Sequence, residues 1–260
     1  MLLKRQLPEF LLSLHQKYDR QSLADDPIHF VHQYTDPRDQ EIVAFFSALL
    51  AFGNVKAIHH SLRRLFEILG PHPFSFISTF DPARQSHHFK TLRHRWVGGE
   101  DLLLLVIVLR DLLEKLPSLK SFFLENFRED DPDTSSLLDR ISQNLLKRAG
   151  PEKVSRGFRY FLPSPSGGSP CKRLHLFLRW MVRPKDGIDL GLWPEIPTSK
   201  LIIPLDTHLY RFARRFRISR YRTANGKMAR EITKYLRQLD PIDPVKFDFP
   251  ICHYGMEIGW

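Results

Sequence analysis

The spacing of apolar residues is helical along most of the chain. Ile42, Phe45, Phe46 and Leu49 fall at i, i+3, i+4 and i+7, which puts them on one helical face. Asn54 offers an N-cap for a helix whose apolar residues are Val55, Ile58, Leu62, Leu65, Phe66 and Leu69, and Gly70-Pro71 stops it. The run Trp96 to Asp101 reads as a loop entering a helix that starts at Asp101 and ends by Pro117. That helix holds the longest apolar run, the eight residues from Leu102 to Leu109. A bilayer span needs about 20, so the run predicts a buried helix. Thr134 opens another helix through Leu137, Leu138, Ile141 and Leu145, closed by Gly150-Pro151. Asp243-Pro244 reads as an N-cap followed by proline at the first helical position. Sustained period-two alternation is absent, and Leu201-Ile202-Ile203 is the one strand-like stretch. The pattern predicts an all-α protein of roughly ten helices.

Two stretches break this pattern. Pro163 to Pro170 is rich in proline, glycine and serine, and Pro184 to Pro204 is a long irregular connection. Irregular segments of this length inside a compact domain are often functional. They also serve as plain linkers between helical layers.

Composition narrows the class. Apolar residues make up 42 % of 260, enough for a sizeable core, which excludes disordered and fibrous classes. Cys171 and Cys252 cannot form a disulfide framework, and no CxxC pair exists for zinc or redox chemistry. The histidine pairs His59-His60 and His87-His88 are adjacent, so they lack the i, i+4 spacing of helical metal ligands. No Walker-type phosphate loop and no GxSxG elbow occur. Met1 to His15, with Lys4, Arg5 and Glu9, lacks a small-residue cleavage site and predicts a surface helix. These features predict a soluble, cytoplasmic protein with no membrane partner and no metal.

Charge adds the first functional hint. The net charge is +10, and it is clustered: 20 basic and 6 acidic residues lie between Asp139 and Arg230. Six arginines, Arg211, Arg214, Arg215, Arg217, Arg220 and Arg222, fall within twelve positions. Clustered basic excess fits a polyanion, above all nucleic acid, and equally fits a solvated helix face.

Chemistry has two candidate places. In Ser169-Pro170-Cys171-Lys172-Arg173, Ser169 is a plausible N-cap and Pro170 the first helical residue. Leu174, Phe177, Leu178 and Met181 form the apolar stripe, and Lys172 lies off it in the first turn. The partial positive charge of a helix start disfavours an ammonium ion and favours the free amine of a Schiff-base lysine. The same helix start, beside Gly167 and Gly168, can instead hold a phosphate, with Lys172 and Arg173 as counter-charges. An ordinary surface lysine is the plain alternative. The second place is Asp206, an N-cap for a helix with Leu209, Phe212, Ala213 and Phe216. A carboxylate there can also stabilise a cation or accept a proton. Phe45, Phe52 and Trp193 are candidate stacking groups, although helical aromatics are more often core.

These residues carry a resemblance. Pro204-Leu-Asp206-Thr-His208-Leu-Tyr-Arg211 resembles the aspartate segment of the helix-hairpin-helix DNA glycosylase superfamily, and Lys172 best matches its sugar-attacking lysine. Asp39 to Gly53 resembles the opening helix of that superfamily's six-helix barrel, and Ala229 to Gly255 its closing helices. The chain more closely resembles the bacterial family called domain of unknown function 2400. The segments carrying that likeness are Pro37-Arg38-Asp39, Lys172 to Arg183, Asp189 to Trp193, Pro204 to His208, and Asp240 to Phe249. There are departures from the glycosylase pattern. The hairpin lacks the apolar residue between glycines, and 34 residues separate Lys172 from Asp206. The archaeal 8-oxoguanine glycosylase branch is similar in both respects. Cys252 is the one cysteine after Asp206, so the four-cysteine iron–sulfur site of endonuclease III is absent.

The resemblance implies a DNA glycosylase with lyase activity on double-stranded DNA carrying a damaged base, with an oxidised purine such as 8-oxoguanine preferred and no cofactor. Lys172 and Asp206 are its implied catalytic residues. Gly167, Gly168, Ser169, Arg173, His208, Arg211, Arg214 and Arg215 are its implied DNA contacts. Residues 36–183 would form the barrel, and 1–35 with 184–260 a second helical layer, with Lys172 and Asp206 on opposite lips of a cleft. A non-catalytic nucleic-acid-binding module on the same fold is the alternative, and an RNA-directed protein a third.

Overall fold

The computed structural model describes residues 6–18, 23 and 25–260. Among them are fourteen α-helices and one two-stranded hairpin, so the all-α expectation holds. The helices are α1 (Leu7–Lys17), α2 (Ile28–Val31), α3 (Pro37–Leu49), α4 (Val55–Leu69), α5 (Pro73–Ser78), α6 (Pro82–Gln85) and α7 (Gly99–Leu113). They continue with α8 (Leu119–Asn126), α9 (Ser135–Ala149), α10 (Arg156–Phe161), α11 (Lys172–Val182), α12 (Thr207–Arg215), α13 (Gly226–Arg237) and α14 (Asp248–Glu257). Helices α2, α5, α6 and α10 have only four to six residues, too short for a 3.6-residue period to show in sequence.

Strand pairing appears where a loop was expected: β1 (Arg93–His94) pairs antiparallel with β2 (Val97–Gly98). Leu201-Ile202-Ile203 is not a strand. It is buried chain whose Ile203 N–H donates to Thr233 Oγ1 at 3.0 Å. Several helix starts follow the capping rules. Asn54 accepts from Ala57 N at 2.8 Å. Helix α7 starts at Gly99, two residues before Asp101, because Asp101 reaches back to Gly98 N at 2.8 Å. It ends at Leu113, short of Pro117. Pro244–Phe247 is a 3-10 turn that Asp243 does not cap, because the Asp243 carboxylate is engaged by Arg183. Helix α1 buries Leu7, Leu11 and Leu14 on one face, while Lys4 and Arg5 lie outside the described residues.

The chain divides into two compact units. Unit 1 is residues 1–24, 130–136 and 164–260, and unit 2 is residues 25–129 and 137–163. This differs from the expected boundary between residues 183 and 184, since 164–183 belong with the C-terminal part. In unit 2, α3 is buried nearly all round, and its two acids serve other helix starts. Asp39 accepts from Phe74 N at 2.8 Å, and Glu41 from Lys120 N at 3.0 Å, where the helix dipole favours negative charge. Unit 1 packs Leu7 and Leu11 of α1, Leu209, Phe212 and Ala213 of α12, Met228, Ile232 and Leu236 of α13 and Ile251 of α14 around one core. Gly255 lets α14 approach α12 closely, because a Cβ there would lie 2.6 Å from His208 Nδ1.

Candidate functional site: a lysine and two carboxylates in unit 1

The start of α11 differs from the expected cap. Lys172 is its first residue, and the N-cap position is Cys171, with φ +43° and no side-chain cap. Ser169 is not the cap; its Oγ accepts from Cys171 N at 3.2 Å within the turn before the helix. A non-glycine residue at positive φ costs on the order of 1–3 kcal/mol, and such strain tends to lie at functional positions. Here it lies immediately before the candidate lysine. Gly167 and Gly168 are exposed in the preceding turn. Gly168, at φ +82°, donates to Pro165 O at 2.9 Å and accepts from Gly226 N at 3.1 Å. The turn is thereby fastened to the start of α13.

Asp206 caps α12, as its spacing predicts, by accepting from Leu209 N at 2.7 Å with Oδ1. Its Oδ2 accepts from the Cys252 thiol at 3.4 Å. Both oxygens are thus oriented, while the side chain stays partly exposed. One helical turn before Cys252 on α14 is Asp248, only 2 % exposed. Asp248 Oδ2 accepts from Arg179 Nη1 at 2.7 Å. The charges of Asp206 and Lys172 both act on Asp248 and on Cys252. The structure therefore gathers Lys172, Asp206, Asp248 and Cys252 in one electrostatic cluster within unit 1. Burial pushes the Cys252 thiol up, and the two carboxylates add to this, so it is a neutral donor.

The base of the cluster is a buried ion network. Asp189, 0 % exposed, meets Arg179 Nε at 3.2 Å and also pairs with Arg183 Nη1. Arg183 further holds Asp186 at 3.0 Å and Asp243 at 3.0 Å. The same irregular segment closes the end of α11: Leu190 N donates to Trp180 O and Trp193 N to Met181 O, each at 2.8 Å. These bonds satisfy carbonyls that a helix end leaves open. They are the physical reason that α11 belongs with residues 184–260 rather than with the helices before it.

Burial pushes the Asp248 carboxyl up to about 6, and Asp206 adds to that, against the pull of Arg179 and Lys172. The value in the folded protein lies above the ordinary 3.8. Its contribution to stability is therefore fully present below that value and is lost as pH rises through about 6. We expect urea unfolding of wild type to lose on the order of 3 kcal/mol relative to Asp248→Asn between the ordinary and the folded value. Parallel stability–pH curves for the two proteins would remove Asp248 as a titrating member of the cluster.

The other expected contacts separate. Arg211, Arg214 and Arg215 are exposed on α12, with Arg217 and Arg222 exposed beyond it. Among the described residues none of the three on α12 pairs with a carboxylate, whereas Arg220 meets Glu231 at 2.9 Å. Arg173 is a correction: at 6 % exposure it is packed into the unit and does not present a phosphate contact to solvent. His208 is partly buried with its ring against Gly255, and its Nδ1 has no hydrogen-bond partner. Phe45 and Trp193 are fully buried core residues. Sequence reasoning missed Asp248, Arg179 and Asp189. The i, i+4 spacing of Asp248 and Cys252 signals a shared helix face, but nothing in the sequence says that this face meets Asp206. Among the described residues no group of three or more His, Cys, Asp or Glu side chains is arranged to hold a metal ion. No described helix is long and apolar enough to cross a membrane.

Fold and site together define an all-α protein with a lysine–carboxylate cluster beside an arginine-bearing helix. The chain belongs to the family described as Protein of unknown function (DUF2400), which matches residues 26–257. Neither the curated proteins nor the solved structures yield a match.

Proposed function

We propose that this protein is a DNA glycosylase with associated lyase activity, acting on an oxidised purine such as 8-oxoguanine in double-stranded DNA. The observation that carries the reading is the cluster itself. A first-turn lysine follows a strained residue and shares its surroundings with an oriented, partly exposed carboxylate and a buried one. The exposed arginines of α12 begin one turn after that carboxylate and suit the phosphates of a duplex. The resemblance of Lys172 and Asp206 to the superfamily's catalytic pair supplies the reaction type.

In this reading the damaged base is flipped out of the duplex. The Lys172 amine attacks the sugar C1′, and the bond from C1′ to the base breaks, its electron pair leaving with the base. Asp206 stabilises the developing cation and takes a proton from the secondary ammonium that the attack forms at Nζ. Ring opening gives a Schiff base between Nζ and C1′. Loss of a C2′ proton then expels the 3′ phosphate and nicks the strand. Asp248 adjoins Asp206 through the Cys252 thiol, which lies 3.4 Å from Asp206 Oδ2 and 3.9 Å from Asp248 Oδ1.

The test is borohydride reduction of the protein mixed with labelled duplexes carrying 8-oxoguanine, uracil or an abasic site. A covalent adduct on a denaturing gel is the expected result, strongest on 8-oxoguanine or the abasic duplex. Binding without an adduct, even on the abasic duplex, would overturn the lysine chemistry. That outcome would favour the second reading, a binding module without catalysis, which the irregular turn at residues 165–168 favours.

A further inference from the structure

Unit 2 carries an aromatic assembly that the lysine chemistry does not use. The β1–β2 hairpin turns on two residues, Arg95 and Trp96. Arg95 has φ +56°, at a turn position where glycine is usual. Its side chain crosses Gly53, itself at φ +102°, and a Cβ on Gly53 would lie 3.1 Å from Arg95 Cδ. The Arg95 guanidinium then lies over the Trp96 ring, 4.8 Å from its centre. Two unusual backbone positions thus build one arginine–tryptophan tip, where a glycine turn would form without strain.

The tip is firmly founded. His94 is buried, with Nε2 on Phe52 O at 2.8 Å and Nδ1 on Ser61 Oγ at 2.9 Å. Trp96 rests on Phe52 and Tyr160, with ring centres 5.2 and 5.0 Å away, and those two rings are 4.9 Å apart. Yet Trp96 remains 48 % exposed. A large ring held by two others but left open to solvent has already lost the rotamer freedom that binding would otherwise cost. Residues 93–98 and 153–160 include four arginines and Lys153 and no acidic residue. Arg93, Arg95, Arg156 and Arg159 are all exposed.

We propose that this assembly is a stacking platform for an unpaired nucleobase of single-stranded nucleic acid, with the arginines meeting the flanking phosphates. The half-exposed Trp96 ring with the planar Arg95 guanidinium over it, bordered by further cations, matches a base attached to a phosphate chain, since bases stack on both kinds of group. The rings touch one another, so they leave no space for an alkylammonium ion between them, and the arginines would repel one. The assembly belongs to unit 2, shares no residue with the cluster of Lys172 and Asp206 in unit 1, and does not depend on their chemistry.

The experiment is equilibrium binding of a fluorescein-labelled oligothymidylate of about 12 nucleotides, a length within known single-strand site sizes. It compares the full chain with Trp96→Ala and Trp96→Phe. Trp96→Ala is expected to weaken binding about 5- to 150-fold, as one lost base stack would. Trp96→Phe keeps most of the affinity, and thermal melting confirms that each variant is folded. Equal affinity of Trp96→Ala and wild type overturns the proposal. So does absence of oligothymidylate binding by wild type, and if Trp96→Ala then alters only self-association, the platform is a protein contact.

Discussion

Lys172→Gln should abolish the borohydride-trapped adduct and the strand nick together. Glutamine is polar and one bond shorter than lysine, and it has no nucleophilic nitrogen, so no Schiff base can form. Lys172 is partly exposed at the start of α11, away from the apolar core of unit 1. The exchange therefore removes no packing from that core. Loss of the adduct with unchanged melting separates chemistry from unfolding. Asp206→Asn is the companion. Asparagine caps a helix about as well as aspartate, so the bond to Leu209 N survives while the negative charge goes. A rate loss of about 10²- to 10⁴-fold is expected for a group that moves a proton or steadies a cation. An adduct that persists in Lys172→Gln would transfer the nucleophile's role elsewhere and end the assignment.

Asp189→Ala should destabilise unit 1 strongly. Asp189 is fully buried against Arg179 and Arg183. Removing it leaves two guanidinium groups in the interior, each short of a charge partner. Breaking a buried pair in this way costs about 3–5 kcal/mol. A typical domain has only about 5–15 kcal/mol in total, so this is a large share, and the melting temperature should fall by roughly 10 °C. Urea unfolding measures it directly, with an unchanged slope if the denatured state is the same. The change also loosens the segment that closes the end of α11, the helix that carries Lys172. A loss below about 1 kcal/mol would mean that water reaches these arginines and that the network is not what holds α11 to residues 184–260.

The segments that carry the family likeness acquire a physical meaning from this network. Arg179 and Arg183 come from one of them, Asp189 from the next, and Asp243 and Asp248 from the last. Pro37-Arg38-Asp39 is a helix start whose aspartate serves the start of α5. Four of the five segments are thus, at least in part, instructions for joining elements, and the fifth, Pro204 to His208, carries the capping Asp206.

The chain's own pattern was sufficient for the helical class, for the apolar faces of α3, α4 and α9, and for the caps Asn54 and Asp206. Those features depend on neighbours within a few residues, where side-chain spacing and backbone hydrogen bonding act directly. It also placed Lys172 and Asp206 at helix starts, where the structure has them. Other features were decided only by tertiary contact. Cys171 rather than Ser169 occupies the cap position, Arg173 turns inward, and Lys172 and Asp206 share unit 1 instead of facing each other across a boundary. Asp248 becomes a carboxyl near 6 only because folding buries it beside Asp206, a residue 42 positions away in the chain. Burial and charge proximity are properties of space, and a short sequence window carries no measure of either.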